Sequence, residues 1–461
     1  MFYQITERYQ LVGWRKMPTG MLDLTTNKVL FLPRNSFYLM LHMNGQEDID
    51  VDKLDPEQQE MLQNMLHRGA VEMSGSPFPD RNQPIYQYHD HVRIESVHWS
   101  VTGKCNYQCR HCMLFTTDNP IKDLSTEECL NLIHQFAECG IREISLTGGE
   151  PLVRDDLYEL IQACTDKNIR VSDIYTNGAL LTTEVIEKIL SIGQRPDFQI
   201  SYDGVGWHDW VRGVEGAQDC AEEAIRTAHA YGLRVTAAMC LFQDNVPMIR
   251  ETVLRLASLG VERIKISPML AKGAWCEHYS EKTLTHQAFL DAVLEYIPNF
   301  LKDGKPCSID MGGYFNYSKE KDFFTTRLAK NPSSPIPLHP CPSTASVLYI
   351  SATGTVLPCM EFVGVPEYES FPNIRNMLLA DVLKDSIWLQ TTQITMDDVY
   401  ANNSQCQQCS ERGIHCGINC RAHAEPGFCG LDNDTCLFLR NGWYKQVQSA
   451  VEKAGGTFTL M

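Results

Sequence analysis

No stretch of this chain approaches the ~18 consecutive apolar residues that a membrane-spanning helix needs. The amino terminus, MFYQITERYQ, breaks up its apolar residues with charge and builds no signal-peptide core. Together these absences predict a cytoplasmic protein with no membrane partner. Positive charge is also scarce. Forty Lys and Arg stand against 57 Asp and Glu, a formal net charge of −17, and no basic stripe interleaved with aromatics is present to neutralise phosphates. Nucleic acid is therefore not the expected partner. At 461 residues the chain exceeds what one ordinary core organises and should divide into two to four domains.

Cysteine, by contrast, is abundant, with 18 in the chain. A reducing compartment rules out a disulfide framework on this scale and leaves metal binding or catalysis. Cys129, Cys139, Cys164, Cys220, Cys240 and Cys276 stand singly in helix- or strand-like contexts and read as small buried hydrophobes. The remainder gather mainly at 105–112, 341–359 and 406–436.

Residues 1–90 form a first unit. The alternation GMLDLTTNKVLFL predicts a hairpin turning at Thr26-Asn27, and an amphipathic run follows from Phe37 to Met43. Asp55-Pro56 then opens a helix with a cap and a proline at its first position, and AVEMS closes the unit as a strand. Pro77, Pro79 and Pro84 mark a polar linker. Across 94–302 six strand candidates (SVHWSV, REISLTGG, RVSDIYTNG, DFQISYDG, RVTAAMCLF, RIKISPML) alternate with helix candidates near 125–139, 155–168, 182–193, 216–232, 246–260 and 285–302. Six βα units imply an α/β fold with a parallel sheet curved into a partial barrel, its chemistry in the loops that follow the strands. The pattern lapses over 303–340, read as a bridge, and turns and cysteines dominate 341–461.

The stretch CNYQCRHC lies in the loop after the first predicted strand, and its spacing, Cys105-x3-Cys109-x2-Cys112, puts three thiols on one loop. Three ligands leave a metal position open. Structural zinc takes four protein ligands, and His111, the immediate neighbour of Cys112, is poorly placed to be the fourth.

Followed after the second strand by Gly148-Gly149-Glu150-Pro151, this loop resembles that of the radical S-adenosylmethionine (SAM) superfamily. The resemblance implies a partial (β/α)6 TIM barrel in which Cys105, Cys109 and Cys112 hold a [4Fe–4S] cluster and SAM supplies the remaining ligand. It assigns the Gly148, Gly149 and Glu150 segment to the SAM amino group, with the glycines letting backbone approach a ligand closely. Asn177 and Ser201 become ribose or methionine contacts, and Arg212 a bidentate partner of the SAM carboxylate. Tyr107 and His111 would line the adenosine side.

Further on, Cys341, Gly354 and Cys359 are followed by Cys406-x2-Cys409-x6-Cys416-x3-Cys420 and by Cys436, a pattern that resembles the SPASM domain. The family spacing has five residues where this chain has six between Cys409 and Cys416. The resemblance implies two auxiliary clusters, three [4Fe–4S] clusters in all. Cys406, Cys409, Cys416 and Cys436 would hold the outer one, with Cys429 competing for the last place, and Cys341, Cys359 and Cys420 the inner one. The inner set lacks a fourth cysteine. Either the iron stays open to a substrate thiolate, or Cys307 or His339 completes it. The first 90 residues are similar in topology to the winged-helix-like, PqqD-type domain that recognises leader peptides.

As a whole, the resemblance implies an enzyme that matures a ribosomally made precursor peptide, fed electrons by a flavodoxin- or ferredoxin-type reductase, with a thioether from a cysteine sulfur to a peptide carbon as the expected product. Carbon–carbon crosslinking and maturation of a peptide-derived cofactor are the near alternatives; the N-terminal unit argues against sulfatase maturation and alcohol oxidation. A zinc-dependent interaction protein is the distant alternative.

Overall fold

A computed structural model describes residues 1–80, 84–114, 122–326, 339, 341–363, 368–401, 404–412, 416 and 433–459. Six parallel strands, Ser96–Thr102, Glu143–Gly148, Arg170–Thr176, Asp197–Ser201, Val235–Leu241 and Arg263–Pro268, lie side by side in chain order. They are the first to sixth barrel strands below. The helices between them are Thr126–Glu138, Leu157–Asp166, Thr183–Ser191, Ala217–Ala230 and Ile249–Ser258, and His286–Lys302 follows the sixth. All six βα units expected from the periodicity are present.

Alternation along each strand sorts the side chains. Val97, Trp99 and Val101, Ile144 and Leu146, Phe198 and Ile200, Val235 and Ala237, and Ile264 and Ile266 are buried in one core with the helix residues Leu132, Ile133 and Phe136. Trp99 meets Phe136 edge to face, with ring centroids 5.8 Å apart. The intervening positions carry polar groups that bond to one another. Ser145 Oγ donates to Asp173 (3.2 Å), Gln199 Nε2 to Asp173 (2.9 Å) and Lys265 Nζ to Gln199 (3.2 Å). The barrel thus has an apolar jacket and a polar lumen. Capping places the helices: Ser125 and Glu128 form a reciprocal capping box, and Thr182 and Thr285 each accept an N–H from the first turn of the helix they precede.

Within the segment read as a bridge, Ser308–Met311 is a seventh parallel strand beside the sixth, and Phe315–Ser318 and Phe323–Thr325 continue the sheet antiparallel. No helix separates these three strands from one another, so the βα rhythm that revealed the other six was missing. At the opposite edge Val347–Ile350 pairs in parallel with the first strand, and Val356–Leu357 folds back on it. Arg375 grips Glu128 through Nε and Nη2, and the Leu379 N–H donates to Gln135 (2.7 Å), fastening the C-terminal segment to the first barrel helix.

In the N-terminal region the expected hairpin is Met17–Asp23 with Lys28–Phe31, and Asn27 adopts φ 55° in its turn. Helix Pro56–His67 has Asp55 as its cap and Pro56 at its first position. The amphipathic run becomes helix Arg34–Leu41. Strands Phe2–Ile5, Tyr9–Trp14, Asn44–Asp48 and Tyr86–His89 were not legible in the pattern. Phe2–Ile5 lies between Asn44–Asp48 and Val71–Ser74 in a three-stranded sheet, and Tyr86–His89 pairs in parallel with Tyr9–Trp14 in a four-stranded one.

Of the six single cysteines, Cys129, Cys139 and Cys164 are buried and Cys240 is half-buried. Cys220 and Cys276 are exposed, contrary to the expectation. They sit on solvent-facing positions of helices Ala217–Ala230 and Gly273–His278, where the helix alone decides the face.

Candidate active site at the barrel mouth

The three thiols of CNYQCRHC sit where the first strand ends. Thr102 Oγ1 donates to Asp123, and the Gly103 N–H donates to the same carboxylate (2.8 Å). A turn closes through Cys112 N–H to Cys109 O (3.1 Å). Two N–H donors face the sulfurs: the Tyr107 backbone N–H lies 3.4 Å from Cys105 Sγ and Arg212 Nη1 lies 3.8 Å from Cys109 Sγ. Burial pushes the Cys105 thiol up to about 11 and raises that of Cys109. Clustered thiols that are costly to ionise alone, yet have donors aimed at sulfur, fit a metal cluster that takes them as thiolates.

Other loops clamp this one from three sides. At Gly149 a Cβ would stand 2.1 Å from Lys104 O, and at Gly148, φ 145°, it would stand 2.3 Å from Thr102 O. The close approach these glycines permit is to the backbone of the cysteine loop itself. Gly213, φ 69°, abuts Gln108 O, and Gly273, φ 55°, abuts Cys112 O, where a Cβ would stand at 2.7 and 2.5 Å. Lys272 Nζ donates to Glu361 O (2.8 Å), joining the loop after the sixth strand to the residues beyond Cys359.

Glu150 is fully buried and serves as a clasp. Its carboxylate accepts the Asn177 N–H (2.8 Å), the Thr176 hydroxyl (2.9 Å) and the Leu152 N–H (3.2 Å), and its own N–H donates to Lys104 O (2.9 Å). Burial pushes this carboxyl up to about 7 against those three bonds. A carboxyl whose pKa rises on folding penalises the fold only when it is ionised. The penalty is absent below its ordinary 4.5, grows as pH rises and is complete above about 7, worth roughly 3 kcal/mol at 1.36 kcal/mol per unit. Urea midpoints followed by tryptophan fluorescence should therefore fall between pH 5 and 7 in the wild type, and the Glu150→Gln variant should lose most of that slope. An equal slope in both would place the titrating group elsewhere.

Asn177 is tied at both ends, donating to Asn106 Oδ1 (2.8 Å) and accepting the Ala179 N–H (2.9 Å), so its amide holds the residue beside Cys105. Ser201 ends the fourth strand, half-buried. The Tyr107 side chain is buried among these loops, its hydroxyl pushed up to about 12 by burial. Side-chain ligand atoms of His111, Asp203 and Cys240 lie within 4.8 Å of one another, and burial pushes His111 down to about 4. Arg212 is directed at Asp203 (Nε to Oδ2, 2.7 Å) and Cys109. Sequence reasoning did not single out the bracing roles of Asp203, Asn106, Asp123 or Lys272, nor the aromatic cluster of Trp207, Trp210, Phe242, Trp275 and Tyr279 beside the mouth. Their chain separation left no spacing to read.

In the C-terminal region Cys406, Cys409, Cys416 and Cys436 line one cavity with Tyr400 and Arg412. Burial, with the neighbouring thiols adding to it, pushes Cys416 up to about 12. Four converging thiols fit a metal cluster here too. Cys341 and Cys359 flank the antiparallel pair Val347–Ile350 and Val356–Leu357, whose register, Tyr349 opposite Leu357, brings both flanks to the same end. Cys420 and Cys429 lie outside the described residues. Cys307 shares the face of Ile309 and Met311, buried in the core against helix His286–Lys302 and pushed up to about 12. His339 directs Nδ1 at Ile394 O (2.9 Å).

Residues 99–267 match the radical SAM superfamily and residues 341–410 the SPASM iron-sulfur cluster-binding domain. An AdoMet-dependent heme synthase of Oleidesulfovibrio alaskensis is 25% identical over 355 residues, 74% of this chain and 87% of that protein. The PqqA peptide cyclase of Granulibacter bethesdensis is 25% identical over 352 residues, 73% of this chain and 85% of its own. Among solved structures, Streptococcus suis SuiB bound to its precursor peptide SuiA has the same fold at TM-score 0.63 and 16% identity, covering 94% of this chain and 99% of SuiB. No helix among the described residues is long and apolar enough to cross a membrane. With two domain matches falling on the barrel that presents CNYQCRHC and on the region of the converging C-terminal thiols, the chain is a radical SAM enzyme with a SPASM extension.

Proposed function

We propose that this enzyme matures a ribosomally made precursor peptide by joining a cysteine sulfur to a peptide carbon. The observation that carries the peptide reading is the N-terminal region. The heme synthase and the peptide cyclase leave about a quarter of this chain unmatched, whereas the likeness to SuiB, at 94% coverage, extends into the first 90 residues. There Val71–Ser74 is an outer strand of its sheet, and no described strand pairs with its free side. Such an edge takes an extended peptide as an added strand, main chain to main chain, and so tolerates varied leader sequences.

Cys105, Cys109 and Cys112 would hold the first [4Fe–4S] cluster, with Asn106, Asn177 and Glu150 bracing their loop. Ser201, Tyr107 and His111 stand at the mouth for SAM. When bound, cluster and SAM together supply the 5′-deoxyadenosyl radical that takes hydrogen from a substrate carbon. Cys406, Cys409, Cys416 and Cys436 would hold an outer auxiliary cluster, and Cys341, Cys359 and Cys420 an inner one with a position open to the substrate thiolate; a flavodoxin- or ferredoxin-type protein would deliver electrons. The polar lumen, with Asp173, Gln199 and Lys265 bonded across three strands, suits a peptide's amides.

The test is anaerobic turnover with a cysteine-containing precursor. The product should lose two hydrogen atoms, resist thiol alkylation and fragment as a closed loop, and omission of the leader should abolish conversion. A product of the same mass that still alkylates but fragments as a closed loop would be a carbon–carbon crosslink, the second reading; one that alkylates and fragments as an open chain would be an oxidation and would overturn both.

A further inference from the structure

We infer that Arg212 is a positioning residue of the cysteine loop: anchored by Asp203, it donates an N–H to the Cys109 sulfur and raises the reduction potential of the cluster that this sulfur ligates. The resemblance assigns Arg212 instead to the SAM carboxylate, so the two readings compete for the same guanidinium.

The case begins with Asp203, fully buried beyond the end of the fourth strand. Oδ2 accepts Arg212 Nε (2.7 Å) and Oδ1 accepts the Cys240 N–H (3.1 Å). Its backbone N–H donates to His208 Nδ1 (2.9 Å), and its carbonyl accepts Asn245 Nδ2 (2.9 Å). Main chain and side chain are thus both held, and the carboxylate has one orientation. Burial alone would raise its pKa, but the Arg212 charge and the His208 bond overcome that and hold it below the usual carboxylate range.

Arg212 is itself buried, at the end of the short helix His208–Arg212, which Gly213 terminates against Gln108 O. The Arg110 N–H donates to Val211 O (2.9 Å), and the Arg110 guanidinium donates to Trp210 O. The helix end and the cysteine loop are therefore locked in register one residue either side of Cys109, with Nη1 at 3.8 Å from its sulfur. With Nε held on Asp203 the planar fork has one orientation, and in it Nη1 is directed at the Cys109 sulfur.

The sign of the effect follows from charge. A reduced cluster carries one more negative charge, spread in part onto its sulfurs, so an N–H aimed at a sulfur stabilises the reduced state more than the oxidised one. Asp203 largely offsets the Arg212 charge, which leaves the directed N–H as the main contribution.

Two measurements test this. In Arg212→Lys, which keeps the charge and loses the fork, the midpoint potential of the resonance signal that responds to SAM should become more negative than in the wild type, with SAM affinity changed less than about threefold, or 0.6 kcal/mol. An unchanged potential with SAM affinity lowered tenfold or more would overturn the inference in favour of the carboxylate role. Should the variant fail to assemble its cluster, the wild type decides: protein grown with 15N-arginine, reduced without SAM, should show a 15N hyperfine coupling from the guanidinium to the cluster. Its absence would overturn the proposal. Neither readout depends on what the peptide product is.

Discussion

Replacing Cys105, Cys109 and Cys112 together by alanine should abolish 5′-deoxyadenosine formation while leaving the C-terminal iron in place. The two sets of thiols are carried by separate parts of the chain. The first lies on one loop at the end of strand Ser96–Thr102, braced by Asp123, Gly149 and Gly213. Cys406, Cys409, Cys416 and Cys436 line their own cavity beside Tyr400. With three filled [4Fe–4S] sites the wild type should bind about twelve irons and the triple variant about eight. Anaerobic iron and sulfide assays together with chromatography of SAM cleavage products check both halves. Residual 5′-deoxyadenosine above the protein-free level would mean that the radical centre is elsewhere, and zinc without acid-labile sulfide in the wild type would mean there is none.

Gly149→Ala should be nearly as damaging without touching a thiol. A Cβ there would meet Lys104 O at 2.1 Å, Lys104 C at 2.6 Å and Gly103 O at 2.9 Å, all of them backbone atoms that cannot rotate away. Relief must come from displacing residues 103–104 and with them Cys105. Overpacking of this kind costs about 1–3 kcal/mol, and spent on the loop geometry it corresponds to a loss of SAM affinity of about tenfold to a hundredfold. Gly75→Ala, where nothing lies within 4 Å of the new carbon, is the control and should bind SAM as the wild type does. Equilibrium binding to the reconstituted protein decides it. Equal affinities for the two variants would show that the contact between the second-strand loop and the cysteine loop does not position the site.

Sequence alone was sufficient for whatever is encoded over short distances. The spacing of CNYQCRHC, the glycine pair at 148–149, the cap at Asp55 and the six strand–helix alternations are each read within a window of a few to some thirty residues, and the structure has every one of those strands and helices. Amphipathic period and local spacing are properties of contiguous chain, so they survive without knowledge of the fold. Only the tertiary structure decided which way the side chains point and what they meet. Arg212 was legible as a basic residue after the fourth strand, but its partners are Asp203, nine residues away, and Cys109, 103 residues away. Glycines 148 and 149 were legible as points of close approach, yet what approaches is the chain at 102–104. Cys307 stood in the sequence as an alternative ligand of the inner set, and only the fold shows it to be buried in the core beside strand Ser308–Met311. Strand 308–311 exists because the edge of the sixth barrel strand, some 45 positions earlier in the chain, offers it hydrogen bonds, and 315–318 and 323–325 build outward on that new edge. Pairing and register are set by partners distant in sequence, and a side chain's direction follows from them.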